Sequence, residues 1–344
     1  MEFEKNLVRI NVFPKEKLNI EEKLYISRTV AEMIADNIHE LNEDYNEISM
    51  RLMNCDMYYA DIDPKYGNVI YYYKNNSIYI QQLPLEKIPK DQIIRECLHY
   101  LQNFSQAMKS NKKVGLSNFD GYRIVGLGLN EAIIQYMTAM ATGQEFKRIK
   151  ISDVSVYTNS GDYYQLLTSL AHQMVLLMGS KTVIGSAINC NIDFEDDIYN
   201  TFEENTNKIF KNFDLLLEEN NKDVKNEDKM IDIYMQTQEL IYKTYFYKIY
   251  KFLTLRIEVD KVVQKMCDYE LIVGKVIEEQ KSSRLKYNKN FDSFIKEMDK
   301  KFYRKYIEID EKIARNLPKR VQNNLWTRIM NKIRTYLQYK ERKI

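Results

Sequence analysis

Apolar residues recur at helical spacing from Asn19 to Asn54: Leu24, Ile26, Val30, Met33, Ile34, Ile38, Leu41 and Ile48. This period predicts one long amphipathic helix. Two short β-rich runs follow, Asn68-Val-Ile-Tyr-Tyr-Tyr and Ser77-Ile-Tyr-Ile-Gln-Gln. Lys74-Asn75-Asn76 between them suits the tight turn of a hairpin. Pro84 and Pro89 then punctuate the chain, and Asp91 can cap a helix running to about Met108. The stretch from Lys112 to Gly126 reads as a loop. A second helix is predicted from about Gly128 to just before Gly143, and a third from Asp162 to Met178, stopped by Gly179.

After Cys190 glycine and proline nearly vanish, and helical patterns run to the C-terminus with breaks near 220–226, 288–290 and Pro318. The expectation is an α+β domain over 1–190, with a small sheet, followed by an all-helical domain over 191–344. Residues 228–280 could form a long antiparallel helical hairpin. Their apolar positions keep no strict heptad, which excludes a regular coiled coil.

Charge adds a detail to this picture. The chain is nearly neutral overall, at +2, but 315–344 holds nine Lys/Arg against Glu341 alone. Within it Leu325, Trp326, Ile329, Ile333 and Leu337 share a helical face. Such a basic helix could meet nucleic acid or an anionic membrane surface; a helix docked on its own domain explains the same pattern. The opening residues show no apolar run behind a basic start, and no stretch is apolar for long enough to cross a bilayer. The four cysteines are scattered and form no CxxC pair. A cytoplasmic location is the expectation.

The candidate chemistry lies on the first two helices after the hairpin. In Ile94-Arg95-Glu96-Cys97-Leu98-His99, positions 95 and 99 are one helical turn apart and project from one face. Glu96 lies beside that face, and Cys97 points away from it towards the core. The next helix carries Gly128-Leu129-Asn130-Glu131-Ala132-Ile133-Ile134-Gln135. Together these segments resemble the two zinc-binding helices of the thermolysin-like metallopeptidases (gluzincins), whose HExxH helix supplies two histidine ligands and a general base. The family's Asn-Glu-Ala helix supplies a third, carboxylate ligand.

The resemblance covers about 20–180. It implies that Glu96 matches the general base, His99 the second ligand and Glu131 the third. Arg95 stands where the first histidine belongs, and a guanidinium has no lone pair for a metal. Gln135 stands where these peptidases carry an acid that orients a ligand histidine, and Asn130 is the other residue expected to support the ligands. Both departures weaken the same metal site. Arg95 is expected to bridge to Glu131, or else to Glu96, with its permanent charge in the place of the ion.

The implied function is a catalytically impaired peptidase homologue that needs no cofactor and binds a peptide or protein partner through a retained cleft. One alternative is an active metallopeptidase with an atypical zinc site built on His99 and Glu131. A second is a helical interaction or nucleic-acid-associated protein with a fortuitous motif. His172 is a low-ranked cleft candidate that also reads as a packed helix histidine, and His39 reads as a surface residue. Tyr157, Tyr163 and Tyr164 are candidates for the phenol that assists the tetrahedral intermediate in the family.

Overall fold

A computed structural model describes residues 7–41, 43–107, 113–120, 123–152, 154–161, 163–190 and 193–255, with isolated helical positions between 293 and 311. The fold is mixed α+β, dominated by helices and carrying three small sheets. Contacts divide the chain into Met1–Tyr245 with Lys275–Lys289, and Phe246–Gly274 with Asn290–Ile344. The composition change near residue 190 lies within the first of these units. In the second unit the Lys301 ammonium lies 5.7 and 6.0 Å from the Tyr247 and Tyr250 rings and pairs with Glu297 at 2.7 Å. The basic segment 315–344, the breaks near 288–290 and Pro318, and the far arm of the expected 228–280 hairpin lie outside the described residues.

In the first unit the apolar period of 19–54 is cut in two. Helix α1 (Ile20–Asn37) ends at Ile38, which leaves the helical region at φ −123° and ψ 76°. A short 3-10 turn at His39–Leu41 follows, with His39 on the surface, and then α2 (Tyr45–Met53). Each helix opens with its own capping box, Asn19 with Glu22 and Asp44 with Glu47. The second box restarts the helix: Asp44 accepts the Glu47 N–H while the Glu47 carboxylate accepts the Asp44 N–H.

The main sheet has the order β1 (Val12–Lys17), β2 (Asp56–Ile62), β4 (Ser77–Gln81), β3 (Val69–Tyr72). Strands β2 and β4 run parallel and the other pairs antiparallel. The hairpin β3–β4 forms as expected, with Tyr72 opposite Ser77 and Asn76 at φ 55° in the turn. This leaves β3 at the sheet edge, packed against helix α3 (Lys90–Ala107). The stretch after α3, read as a loop, pairs as a three-stranded sheet of β5 (Lys113–Val114), β6 (Ser117–Asp120) and β7 (Arg123–Val125).

Helix α4 (Leu127–Ala141) is the centre of the unit, with all but a few of its residues buried. It packs against α1, α3, α5 (Gln165–Met178), α6 (Ser180–Asn189) and α8 (Thr206–Asn220). Its start is fixed by Asp214 on α8, which accepts the Gly126 and Gly128 N–H groups at 3.0 and 2.7 Å. A Cβ on Gly128 would lie 2.2 Å from the Phe213 carbonyl oxygen, so only glycine lets the two helices approach this closely. A β-hairpin of β8 (Lys147–Ile151) and β9 (Val154–Thr158) leads into α5. Helices α7 (Phe194–Phe202) and α8, then the first part of α9 (Glu227–Leu255), complete the unit. Among the described residues no helix is long and apolar enough to cross a membrane.

Candidate functional site

Helices α3 and α4 bring three of the expected residues together. Arg95 and His99, one turn apart on α3, both point at Glu131 on α4. Arg95 Nη2 donates to Glu131 Oε2 at 3.1 Å, and His99 Nε2 lies 3.5 Å from the same oxygen. Glu96 joins from the sheet side: its Oε1 is 3.5 Å from Arg95 Nη1, and its Oε2 accepts the Tyr71 N–H of edge strand β3 at 2.8 Å. The ion pair expected between Arg95 and Glu131 is therefore present, with Glu96 as a weaker second partner.

The cluster is mostly withdrawn from water, with 24% of the Arg95 and 13% of the Glu131 side chain exposed. Burial alone would raise the Glu131 pKa, but His99 and Arg95 overcome it and hold the carboxyl at about 2. Burial would likewise lower the pKa of His99, and the Glu131 carboxylate beside it wins, so the imidazole is shifted upward. Arg95 is driven further towards its charged form by Glu96 and Glu131, against the cost of burial. Arg95 and Glu131 thus favour each other's charged forms, and Glu131 favours protonation of His99.

Two of the three candidate tyrosines cover this cluster. The Arg95 guanidinium carbon lies 6.0 Å from the Tyr163 ring centre and 5.5 Å from that of Tyr164. Tyr164 is at φ 50° just before α5, and its hydroxyl donates to Asn221 Oδ1 at 3.0 Å. Burial pushes its phenol pKa up. The third, Tyr157, stacks on Phe146 at 5.1 Å instead. His172 belongs to that second aromatic group, 4.3 Å from Phe146, 6.0 Å from Tyr157 and 6.2 Å from Tyr136. The reading of His172 as a packed helix histidine describes it.

The two expected supporting residues face elsewhere. Gln135 is buried, and its amide donates to Ser160 Oγ at 3.3 Å. Asn130 forms a reciprocal pair with Gln102 of α3, accepting from Gln102 Nε2 at 3.0 Å and donating to Gln102 Oε1 at 3.2 Å. Asn130 Oδ1 also accepts the Leu116 N–H at 3.0 Å, and Gln102 Nε2 donates to the Ala187 carbonyl at 3.0 Å. Asn130 is thus a clamp between helices and the small sheet, rather than a support for His99. Cys97 is fully buried, as its position on the helix predicts.

Tyr71 and Asn221 complete the site without having been singled out in the sequence. Tyr71 contributes its backbone N–H to Glu96, and its ring lies parallel to the His99 imidazole at 6.4 Å. Its place on an edge strand next to α3 was the available signal. A separate cavity of about 230 Å³ lies between α1 and the start of α3, lined by Ile26, Val30, Met33, Leu85, Ile88 and Ile94 among others. Arg95, Glu96, His99 and Glu131 are not among its lining residues.

Among the described residues no group of three His, Cys, Asp or Glu side chains is arranged to hold a metal ion. The donor chemistry explains why zinc does not fit. A catalytic zinc takes three protein ligands, whereas here two candidates, His99 and Glu131, meet a permanent cation on their shared oxygen. No protein-family model, curated protein or solved structure matches the chain.

Proposed function

We propose that this chain is a metallopeptidase-like protein in which the Arg95 guanidinium stands in the place of the zinc ion, and that it binds a peptide or protein partner through the cleft between α3, α4 and β3. The observation that carries this reading is the single oxygen, Glu131 Oε2, contacted by both Arg95 and His99. In the thermolysin-like arrangement the corresponding carboxylate and histidine meet at a metal; here they meet at a side chain. Arg95 satisfies the local charge but supplies no activated water, so the reaction loses its nucleophile. Glu96 is engaged as well, by the Tyr71 N–H and by Arg95. That leaves binding as the function the cleft can still perform. The Arg95 Nε–H is buried and, among the described residues, has no acceptor. A carbonyl or carboxylate oxygen from a bound peptide would satisfy it.

Zinc titration of the protein and of Arg95→His tests the proposal. The unchanged protein is expected to take up little zinc, and the substitution to raise its affinity by at least about tenfold by restoring a third ligand. Near-stoichiometric zinc in protein purified without chelators would favour the active-enzyme alternative. No gain on Arg95→His would mean that the two helices do not present a peptidase-like ligand face.

A further inference from the structure

We propose that Tyr163 and Tyr164 form a strap that closes over the Arg95–Glu131 cluster and must move aside before a partner reaches it, with the Tyr164–Asn221 hydrogen bond as its latch. This rests on the reading of the cluster as a binding cleft.

Three observations support the strap. The two rings lie over the one guanidinium, at 6.0 and 5.5 Å, and meet each other edge to face at 6.4 Å. The same Arg95 side chain carries the buried Nε–H that, among the described residues, has no acceptor. The strap is also fastened from outside the cluster. The Tyr164 hydroxyl reaches Asn221, the residue that ends α8, through a hydrogen bond exposed to water.

The third observation is the backbone. Tyr164 holds a left-handed conformation, at φ 50° and ψ 38°, directly before the first residue of α5, and no side chain caps that helix there. A bulky residue in this region is disfavoured by its own Cβ, so contacts hold it there rather than local preference. The backbone is tied down by the Thr168 N–H and hydroxyl on the Tyr164 carbonyl and by the Ser160 hydroxyl on the Tyr163 carbonyl, whereas the two side chains are held over Arg95 by one cation–ring contact each and one solvent-exposed hydrogen bond, each weak alone. Rings held by a few weak contacts swing aside at low cost, while the backbone that carries them and the helices beneath stay folded. Tyr163, 41% exposed, already shows one side to water.

Labelling of the full chain with an arginine-directed dicarbonyl such as phenylglyoxal, read by peptide mass spectrometry, tests the strap. Arg148, on the exposed surface of β8, serves as the internal reference. Arg95 is expected to react at least about tenfold more slowly than Arg148. Asn221→Ala, which removes the latch outside the cleft, should raise the Arg95-to-Arg148 ratio about fivefold. Tyr164→Phe, which keeps the ring and loses the hydroxyl, should do the same. A native ratio near one, or a ratio unmoved by both substitutions, overturns the strap. The outcome is independent of the zinc test. A raised ratio with no zinc gain on Arg95→His leaves a strap over a site of other ancestry, and the reverse result removes the strap alone.

Discussion

Two polar clusters join the same pair of helices, α3 and α4, and they are built on opposite principles. One is ionic: Arg95, Glu96 and His99 against Glu131, partly open to water and roofed by tyrosine rings. The other is neutral: Gln102 against Asn130, fully buried and extended by the Leu116 N–H and the Ala187 carbonyl. An amide donates and accepts at once, so the second cluster satisfies itself without burying any charge. Arginine and ionised carboxylates cannot do this. They stabilise a fold only where their mutual attraction exceeds the cost of taking charge out of water. Holding two helices together therefore requires only the amides. The ionic cluster is costlier than that task needs, which is a reason to assign it to binding.

Breaking the amide clamp should have the largest effect. Asn130→Ala strands the Leu116 N–H and the Gln102 carbonyl oxygen in a dry interior and leaves Gln102 Nε2 only its bond to the Ala187 carbonyl, at a cost of roughly 4 kcal/mol. Gly115 offers a second route to the same damage. A Cβ there would sit 2.0 Å from Asn130 Oδ1 and 2.4 Å from Gln102 Nε2, at a φ of 56° that already disfavours alanine. Urea unfolding should show both losses undiminished from pH 5.5 to 8.5, because the side-chain amides do not titrate. A loss that varies strongly with pH would mean that the two clusters are not independent.

Removing the ionic partner should cost less. Arg95→Ala leaves Glu131 facing Glu96 and His99 with its permanent counter-charge gone, at about 2 to 3 kcal/mol given that water reaches the cluster. Replacing both members together, Arg95→Met with Glu131→Met, should recover most of that loss, since a buried pair is often no better than the apolar residues that fit its space. If the double variant is as unstable as Arg95→Ala, the pair holds the fold rather than serving the cleft. A negligible loss in Arg95→Ala would contradict the close contacts on which the comparison rests.

The ionic cluster was legible in the sequence because helical spacing is rigid. Residues at i and i+4 must share a face, so Arg95 and His99 could be placed together, and the Asn-Glu-Ala segment supplied the opposing carboxylate. The role of Asn130 was not legible. Its partner Gln102 lies 28 residues away, and the pairing depends on the angle at which α3 and α4 cross. Tyr71 was hidden for a different reason, since its backbone rather than its side chain makes the hydrogen bond to Glu96. Within the fold the β3–β4 hairpin was plain from its Asn turn, whereas β1 and β2 pair across more than forty residues. The break after Ile38 lay in view as the Asp44-x-x-Glu47 capping signature, but the apolar period ran straight through it. The β8–β9 hairpin was similarly present as alternation in Lys147-Arg-Ile-Lys-Ile and Val154-Ser-Val-Tyr-Thr. Long-range pairing, capping and alternation in short strands are weaker signals than a sustained helical stripe.

The smallest effect, and the one that most sharply separates the two clusters, is their response to pH. Glu131 is held at about 2 in the folded chain, below its ordinary 4.5. Its ionised form therefore adds stability that is present above pH 4.5 and is lost as the pH falls towards 2. His99 moves the other way: its folded pKa lies above the ordinary 6.5, raised by Glu131 against the opposing effect of burial. Its contribution is full below pH 6.5 and disappears as the pH rises through the shifted value. The cluster is thus most stabilising between about pH 4.5 and 6.5, where Arg95 and His99 both carry charge opposite Glu131 and Glu96. His99→Gln removes the alkaline half of this dependence while keeping a polar side chain of similar reach. The stability gap between the protein and His99→Gln should accordingly be widest near pH 5.5 and shrink by pH 8.5, whereas the gap to Asn130→Ala should stay constant over the same range. Thermal unfolding of the three proteins at both pH values makes the comparison. A His99→Gln gap that widens towards pH 8.5 would mean that the imidazole is neutral in the fold, and that Arg95 alone answers the Glu131 carboxylate.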